Sequence, residues 1–238
     1  MKDNPSQKET PSAGYSAALP LSVFLFSLIV LAVVLTFPTL IFHWSKDYQT
    51  NHLYLIGTLG QLLIDLPAIY FFFRTTAASA ARTSNKRRMA SFLAGLLLAA
   101  VLAGFRILFT GRVMEGRFMG GVPAFTQSLS LAAPWNFVWS AAAFFAYGPG
   151  EAIFVVYLIQ AFDQALGGSP SAFSRGVVIT SILWALPHLL NIFYFGLGAI
   201  PNTIIMFFLG LLMGSLLKRT RSAWGPVIFW TLVNGTSF

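Results

Sequence analysis

The sequence predicts an all-α protein, a polytopic membrane helix bundle of about seven transmembrane helices. Hydrophobic residues make up 56% of its 238 residues and charged residues only 9%, against roughly 25% charged residues in an average soluble domain. The mean hydropathy is +0.73. The apolar residues are also gathered into segments that approach the ~20 residues a helix needs to cross a bilayer. These observations together predict an integral membrane protein.

Seven segments have the composition and approximate length of spanning helices: 20–43, 52–73, 89–110, 134–162, 175–195, 200–217 and 222–238. The fourth is long and the last is short. Gly148, Pro149 and Gly150 predict a kink in the fourth segment, because proline removes a backbone donor and glycine tolerates distorted backbone. Residues 111–133 can form a loop, a re-entrant piece or an interfacial helix, and the sequence does not choose among these three.

The chain divides into three parts. Residues 1–19 are polar and are predicted to form a disordered cytosolic tail. Residues 20–133 contain the N-terminal transmembrane helices and a loop, and residues 134–238 form a transmembrane core. The first apolar run is too long for the hydrophobic region of a cleavable signal peptide. We therefore expect it to be the first spanning helix.

The distribution of charge predicts a membrane topology. The chain has 15 basic and 7 acidic residues, but the basic residues lie in short loops beside apolar spans, so nucleic acid is not an expected partner. In a seven-span arrangement, one side holds Lys2, Lys8, Arg74, Arg82, Lys86, Arg87, Arg88, Arg175, Lys218, Arg219 and Arg221. The positive-inside rule then places the N-terminus in the cytosol of a multi-pass protein of the plasma (inner) membrane, with lipid as its surroundings.

The sequence argues against disulfide and metal chemistry. It contains no cysteine, which excludes disulfides, thiolate metal sites and cysteine nucleophiles. It has no H-E-x-x-H motif, and one histidine with one glutamate falls short of the three protein ligands that are usual for catalytic zinc. We therefore expect no cofactor and no metal.

Three polar residues of the predicted spans share one depth. Glu151, His188 and Asn234 lie 12, 13 and 12 residues from the cytosolic ends of their segments, which is about 18 to 20 Å at a rise of about 1.5 Å per residue. Each of these side chains, taken alone, could be a buried polar group satisfied by hydrogen bonds. As a set they can activate and orient water, with the carboxylate as a base and the amide as an oxyanion donor.

Two further ionisable residues lie in the spans at other predicted depths. The same estimate puts Asp65 about 12 Å and Arg106 about 26 Å from the cytosolic side. A direct ion pair between them is not expected in straight helices. The simpler interpretation is structural for both: Arg106 snorkels outward, and Asp65 bonds backbone groups freed by Pro67.

The C-terminal portion, about 143–238, resembles the CPBP family of intramembrane proteases, named for CAAX-processing and bacteriocin-processing enzymes and also called the Abi family. Its signatures are E-E-x-x-x-R, F-x-x-x-H and H-x-x-x-N on separate helices. Here they correspond to Gly150 through Val155, to Trp184 through His188, and to Trp230 through Asn234. Order, placement and four-residue spacings agree over roughly 95 residues, whereas the first 140 residues carry no comparable signature.

The resemblance implies a catalytic set of Glu151, His188 and Asn234. Family members use a glutamate with a histidine to activate water for peptide-bond hydrolysis, and an asparagine helps to hold the oxyanion. Three positions depart from the pattern. Gly150 supplies no carboxylate where the resemblance implies the principal base, Val155 replaces an arginine, and Trp230 replaces a histidine. Loss of a general base commonly lowers the rate by about 10²- to 10⁴-fold.

The sequence therefore leaves three functions open. The first is a CPBP-type intramembrane endopeptidase, active or weakened, that hydrolyses a hydrophobic or membrane-associated peptide or protein. The second is an inactive relative, a pseudoenzyme that binds peptide, lipid or partner helices in immunity or as a scaffold. The third and most distant is a small transporter whose pathway is lined by Asp65, Arg106 and Glu151.

Overall fold

The structure, a computed structural model, describes residues 16–43, 52–80, 84–110, 121–192 and 196–235. The regular structure within these ranges is helical throughout. Five of the described helices are long and apolar enough to cross a bilayer. The predicted class, a helical bundle of an integral membrane protein, is confirmed. The predicted disordered tail, residues 1–19, falls almost wholly outside the described residues and stays a prediction.

The N-terminal half consists of three long helices and one short one. Their bounds are α1 Ala18–Ile41, α2 Leu53–Ala80, α3 Asn85–Thr110 and α4 Gly121–Leu129. Helix α4 shows that the undecided segment before the core is helical over its second half. A small buried cluster of Leu53, Tyr54, Ala124 and Ala143 packs α4 against α2 and the following helix.

The C-terminal half contains helices that repeatedly leave α geometry. Its elements are α5 Trp135–Phe145, a first π turn Ala146–Gly150, α6 Glu151–Ala165, α7 Arg175–Ala185, a 3₁₀ segment Leu186–Asn191, α8 Ala199–Thr220, α9 Trp224–Trp230 and a second π turn Thr231–Gly235. The first π turn lies where glycine and proline predict a break, so the predicted distortion before Glu151 is confirmed.

Two of the seven predicted spans are shorter than the rest. The fifth is an apolar helix of Arg175–Leu190, and it changes to 3₁₀ geometry around Pro187 because proline cannot continue the α-helical hydrogen bonds. The seventh is the 7-residue helix α9 followed by a 5-residue π turn. The five others match the candidate spans, and the fourth runs as Trp135–Ala165 through α5, the first π turn and α6.

Helix α6 forms the centre of the bundle. The span that contains it is 67% buried, against 22% for α1 and 17% for the span in α3. It packs against α2 and α7, and Val155, Val156 and Leu158 are fully buried in its core. The outer helices α1 and α3 instead expose many large apolar side chains, which suits contact with acyl chains. The bundle thus places Glu151, the first residue of α6, in its interior.

A polar cluster joins the C-terminal ends of α6 and α8 to the N-terminal end of α7. Asp163 of α6 accepts hydrogen bonds from the Ser174 hydroxyl at 2.9 Å and from the Gly176 backbone N–H at 3.0 Å. It also forms a salt bridge with Lys218 of α8. Ser174 is the N-cap of α7 and accepts from the N–H of Val177. Asp163 therefore fixes the start of α7 relative to α6 and α8.

Replacement of Asp163 by asparagine should lower stability. The Asp163→Asn side chain keeps its volume but loses the charge that pairs with Lys218, and hydrogen bonds to charged groups contribute about 1.5 to 3 kcal/mol each. We expect a loss of unfolding free energy of this size in detergent, measured by thermal or denaturant unfolding. Unchanged stability would contradict the structural role assigned to the Asp163 cluster.

Candidate active site

The Glu151 carboxylate is the centre of a buried polar cluster. The residue is 8% exposed and accepts three hydrogen bonds, each 2.9 Å long. The indole N–H of Trp184 donates to Oε1, while the indole N–H of Trp230 and the amide of Asn234 both donate to Oε2. A buried carboxylate needs such partners because its desolvation is costly. Three N–H donors from α7, α9 and the second π turn therefore hold Glu151 in one orientation.

Asn234 joins the two π turns. Its amide nitrogen donates to the carbonyl oxygen of Tyr147 at 2.9 Å as well as to Glu151, so both of its N–H groups are engaged. The two π turns also pack directly against each other. Single π turns inside α-helices occur frequently at functional sites. Glu151 follows one of these turns and Asn234 lies in the other.

His188 is connected to this cluster through Trp184. The Nδ1 atom of His188 lies 3.1 Å from the backbone carbonyl oxygen of Trp184. A carbonyl oxygen only accepts hydrogen bonds, so Nδ1 carries the hydrogen and a neutral ring has Nε2 as its acceptor. The half-buried imidazole also meets the Trp184 indole edge to face, with ring centroids 6.0 Å apart.

The predicted site residues thus fall into one direct pair and one linked residue. Glu151 and Asn234 touch, as their shared predicted depth allows. His188 is linked to them by Trp184, whose indole binds Glu151 and whose carbonyl binds His188. The Trp184 and Trp230 rings pack edge to face at 4.7 Å. The assembly presents a fixed carboxylate, an imidazole acceptor and an amide donor, which are the groups that water activation and oxyanion binding require.

The two tryptophans were not predicted as site residues. Tryptophan reads as apolar in a hydropathy pattern, although its indole N–H needs a partner when it is buried. A signal was present, since Trp184 precedes His188 and Trp230 precedes Asn234 by four residues, which places each pair on one helix face. Trp230 donates a hydrogen bond where the resemblance implies a histidine. Val155 is fully buried in the apolar core where it implies an arginine.

Asp65 lies beside Gly150, close to Glu151. A Cβ atom built on Gly150 would be 2.5 Å from Oδ2 of Asp65. The sequence put Asp65 about 12 Å and Glu151 about 18 Å from the cytosolic side, whereas the structure places the Asp65 carboxylate against Gly150, the neighbour of Glu151. Counted from the observed helix ends, Asp65 and Glu151 lie about 22 and 21 Å from Ala80 and Ala165. The expected contact with backbone freed by Pro67 is replaced by a hydrogen bond from the side chain of Gln61 to Oδ1 at 3.0 Å.

The remaining predictions are not decided by this geometry. The side chain of Arg106 lies outside the described residues, so the transporter pathway that includes it stays a prediction. Among the residues that the structure describes, no group of three or more His, Cys, Asp or Glu side chains is placed to hold a metal ion. The expectation of no metal and no cofactor rests, as before, on the donor count in the sequence.

Comparison with known proteins identifies one family. Residues 132–236 match the family model named Rce1-like, whose description is type II CAAX prenyl endopeptidase Rce1-like. The matched region begins just before α5 and includes Glu151, His188 and Asn234. No curated protein and no solved structure shows a significant match to the chain.

Removal of one donor to Glu151 should destabilise the bundle. Trp230→Phe keeps an aromatic ring but removes the N–H that binds the carboxylate, and a hydrogen bond to a charged group contributes about 1.5 to 3 kcal/mol. Trp224→Phe is the matched control, because Trp224 lies on the same helix and is 51% exposed. We expect Trp230→Phe alone to lower unfolding free energy in detergent. Equal stability of the two variants would contradict the assigned hydrogen bond.

Proposed function

Residues 132–236 make this chain a member of the CPBP, or CAAX protease, family, and on that premise we propose that the protein is an intramembrane endopeptidase. Its substrate is a hydrophobic or membrane-associated peptide or protein. The observation that supports this best is the direct Glu151–Asn234 contact, with His188 joined to it through Trp184. The cluster lies among the helices of the matched region.

In the proposed reaction, a water molecule is activated at this cluster. The water oxygen bonds to the peptide carbonyl carbon as one O–H bond breaks, and the proton passes to a carboxylate of the site. The tetrahedral intermediate then loses its C–N bond, and the same proton is returned to the leaving amine. His188 contributes Nε2 as an acceptor that orients the water, because its Nδ1 hydrogen is held by the Trp184 carbonyl.

Glu151 and Asn234 have separate roles in this scheme. Three of the four acceptor positions of the Glu151 carboxylate are engaged, so its main contribution is to position Trp184 and Asn234, and one position on Oε1 stays available to water. Asn234 stabilises the oxyanion when one of its N–H groups moves from the Tyr147 carbonyl to the substrate oxygen. A single well-placed oxyanion donor can contribute about 10²- to 10³-fold to the rate.

The membrane setting follows from the same proposal. The protein is an integral membrane protein, and the excess of basic residues on one side favours a cytosolic N-terminus. We propose the plasma membrane as its location. The site would then lie about 20 Å from the cytosolic ends of its helices. Prenylated peptides are the first substrates to test, because the matched family is described by that class.

A non-catalytic role is the second candidate. The full set of donors around Glu151 and the apolar surroundings of Val155 are what a structural carboxylate would also show. Such a protein would bind peptide, lipid or partner helices without cleaving them. Binding that survives His188→Ala, with no cleavage by the unaltered protein, would identify this role.

Replacement of His188 by alanine should abolish cleavage. The substrate is a fluorogenic peptide with a farnesylated C-terminal Cys-aliphatic-aliphatic-X sequence, presented in liposomes with the reconstituted protein, beside the same peptide without the prenyl group. We expect the turnover number of His188→Ala to fall by about 10²- to 10⁴-fold. The matched control is His43→Ala, at the exposed end of α1, which should cleave normally. Equal turnover in both variants would overturn the assignment of His188.

A further inference from the structure

Asp65 has an unpaired carboxylate oxygen in the interior of the bundle. The residue is 0% exposed. Its Oδ1 accepts from Gln61, whereas the buried Oδ2 has no hydrogen-bond partner among the described residues. A buried polar atom without a hydrogen-bond partner is destabilising, and such a group in a native structure calls for an explanation. The unpaired oxygen is directed at Gly150, next to Glu151.

Gly150 leaves room for this carboxylate. A Cβ atom on residue 150 would lie 2.5 Å from Oδ2 and 3.3 Å from Cγ of Asp65. The Asp65 carboxylate therefore occupies the space that a side chain on residue 150 would fill. The Asp65 carboxylate, from α2, thus lies against the residue that directly precedes Glu151 at the start of α6.

In the other buried carboxylates of the described residues, each oxygen accepts at least one hydrogen bond. Glu151 accepts three hydrogen bonds. Asp163 accepts from Ser174 and Gly176 and pairs with Lys218. A general base needs a free lone pair within reach of the water that it deprotonates. Among these three carboxylates, Oδ2 of Asp65 is the oxygen that accepts nothing.

We propose that Asp65 is the general base of the site, a carboxylate supplied by α2 in the space left by Gly150. The proposal rests on the endopeptidase function above and names the group that takes the proton. Oδ2 accepts the proton as the water oxygen bonds to the peptide carbonyl carbon, and Asp65 returns it to the amine nitrogen as the C–N bond breaks. Gln61 orients the carboxylate through Oδ1.

This assignment accounts for a departure from the family pattern. The resemblance implies a carboxylate at residue 150, where this chain has glycine. Here the carboxylate approaches the same place from a different helix. Glu151 is then free to act as the anchor for Trp184, Trp230 and Asn234, without also having to exchange protons.

Replacement of Asp65 by asparagine tests the proposal. Asp65→Asn keeps the volume of the side chain and an oxygen that can accept from Gln61, but it removes the base. The turnover number for the peptide that the unaltered protein cleaves should therefore fall by about 10²- to 10⁴-fold. The KM should change little, because substrate contacts are not removed. Asp163→Asn is the matched control: it alters another buried aspartate of the same bundle, and its turnover per folded molecule should stay within about twofold of the unaltered protein.

Transfer of the carboxylate to residue 150 separates a chemical role from a structural one. Asp65→Ala should be as inactive as Asp65→Asn. Gly150→Asp alone should be unstable, because its Cβ meets Oδ2 of Asp65. The double variant Asp65→Ala, Gly150→Asp removes that conflict and leaves only the tight 3.0 Å approach of the new Cβ to the backbone oxygen of Phe145. It restores a carboxylate in the same space, so we expect at least about a tenfold recovery of turnover over Asp65→Ala. A loss of packing alone would not be repaired in this way.

The outcomes distinguish this proposal from the function on which it rests. Cleavage by the unaltered protein, with Asp65→Asn within about threefold of it, would overturn the role of Asp65 and leave the endopeptidase function intact. No cleavage of either peptide by the unaltered protein would overturn both. The double variant need not fold for the test to succeed. The turnover of Asp65→Asn, compared with that of Asp163→Asn after both are shown to fold by their melting curves, still decides whether Asp65 is the general base.

Discussion

The arrangement of the C-terminal helices depends on one buried anion. A carboxylate that loses its water in a low-dielectric interior must be paired, since an unpaired charge costs several kcal/mol. Glu151 meets this requirement with two indole N–H groups and one amide from segments far apart in the chain. Its position therefore constrains α6, α7 and α9 together. The edge-to-face contact of Trp184 and Trp230 and the linkage to His188 follow from that constraint.

Departures from α geometry place the three site residues predicted from the sequence. Glu151 comes directly after a π turn, Asn234 lies in another, and His188 lies in a 3₁₀ segment. Because one residue turns an α-helix by about 100°, a local change of helix type redirects the side chains that follow it. Pro149 and Pro187 lie in two of these segments. The rotational position of site residues in these helices is thus set by backbone irregularities more than by simple helical spacing.

The sequence predicted those features that depend on the length of apolar segments and on the cost of burying a polar side chain in them. Apolar runs predicted the five long spans, and the shared depth of Glu151 and Asn234 is matched by their contact. The two tryptophans were named as motif positions but not as site residues, because a hydropathy pattern does not register an indole N–H that needs a partner. The sequence put Asp65 at a different depth from Glu151, although the structure places its carboxylate against Gly150. Pairing between helices, which hydropathy does not encode, decides both of these cases.

The separation of Glu151 from its partners along the chain has a consequence for biosynthesis. Trp184 follows it by 33 residues, but Trp230 and Asn234 follow by 79 and 83. At a translation rate of about 5 to 20 residues per second, the last two donors emerge about 4 to 17 s after the carboxylate. During that interval the nascent chain holds an acidic group with at most one of its final ligands. If α6 inserts before α9 is made, Glu151 enters the bilayer without two of its three hydrogen-bond donors.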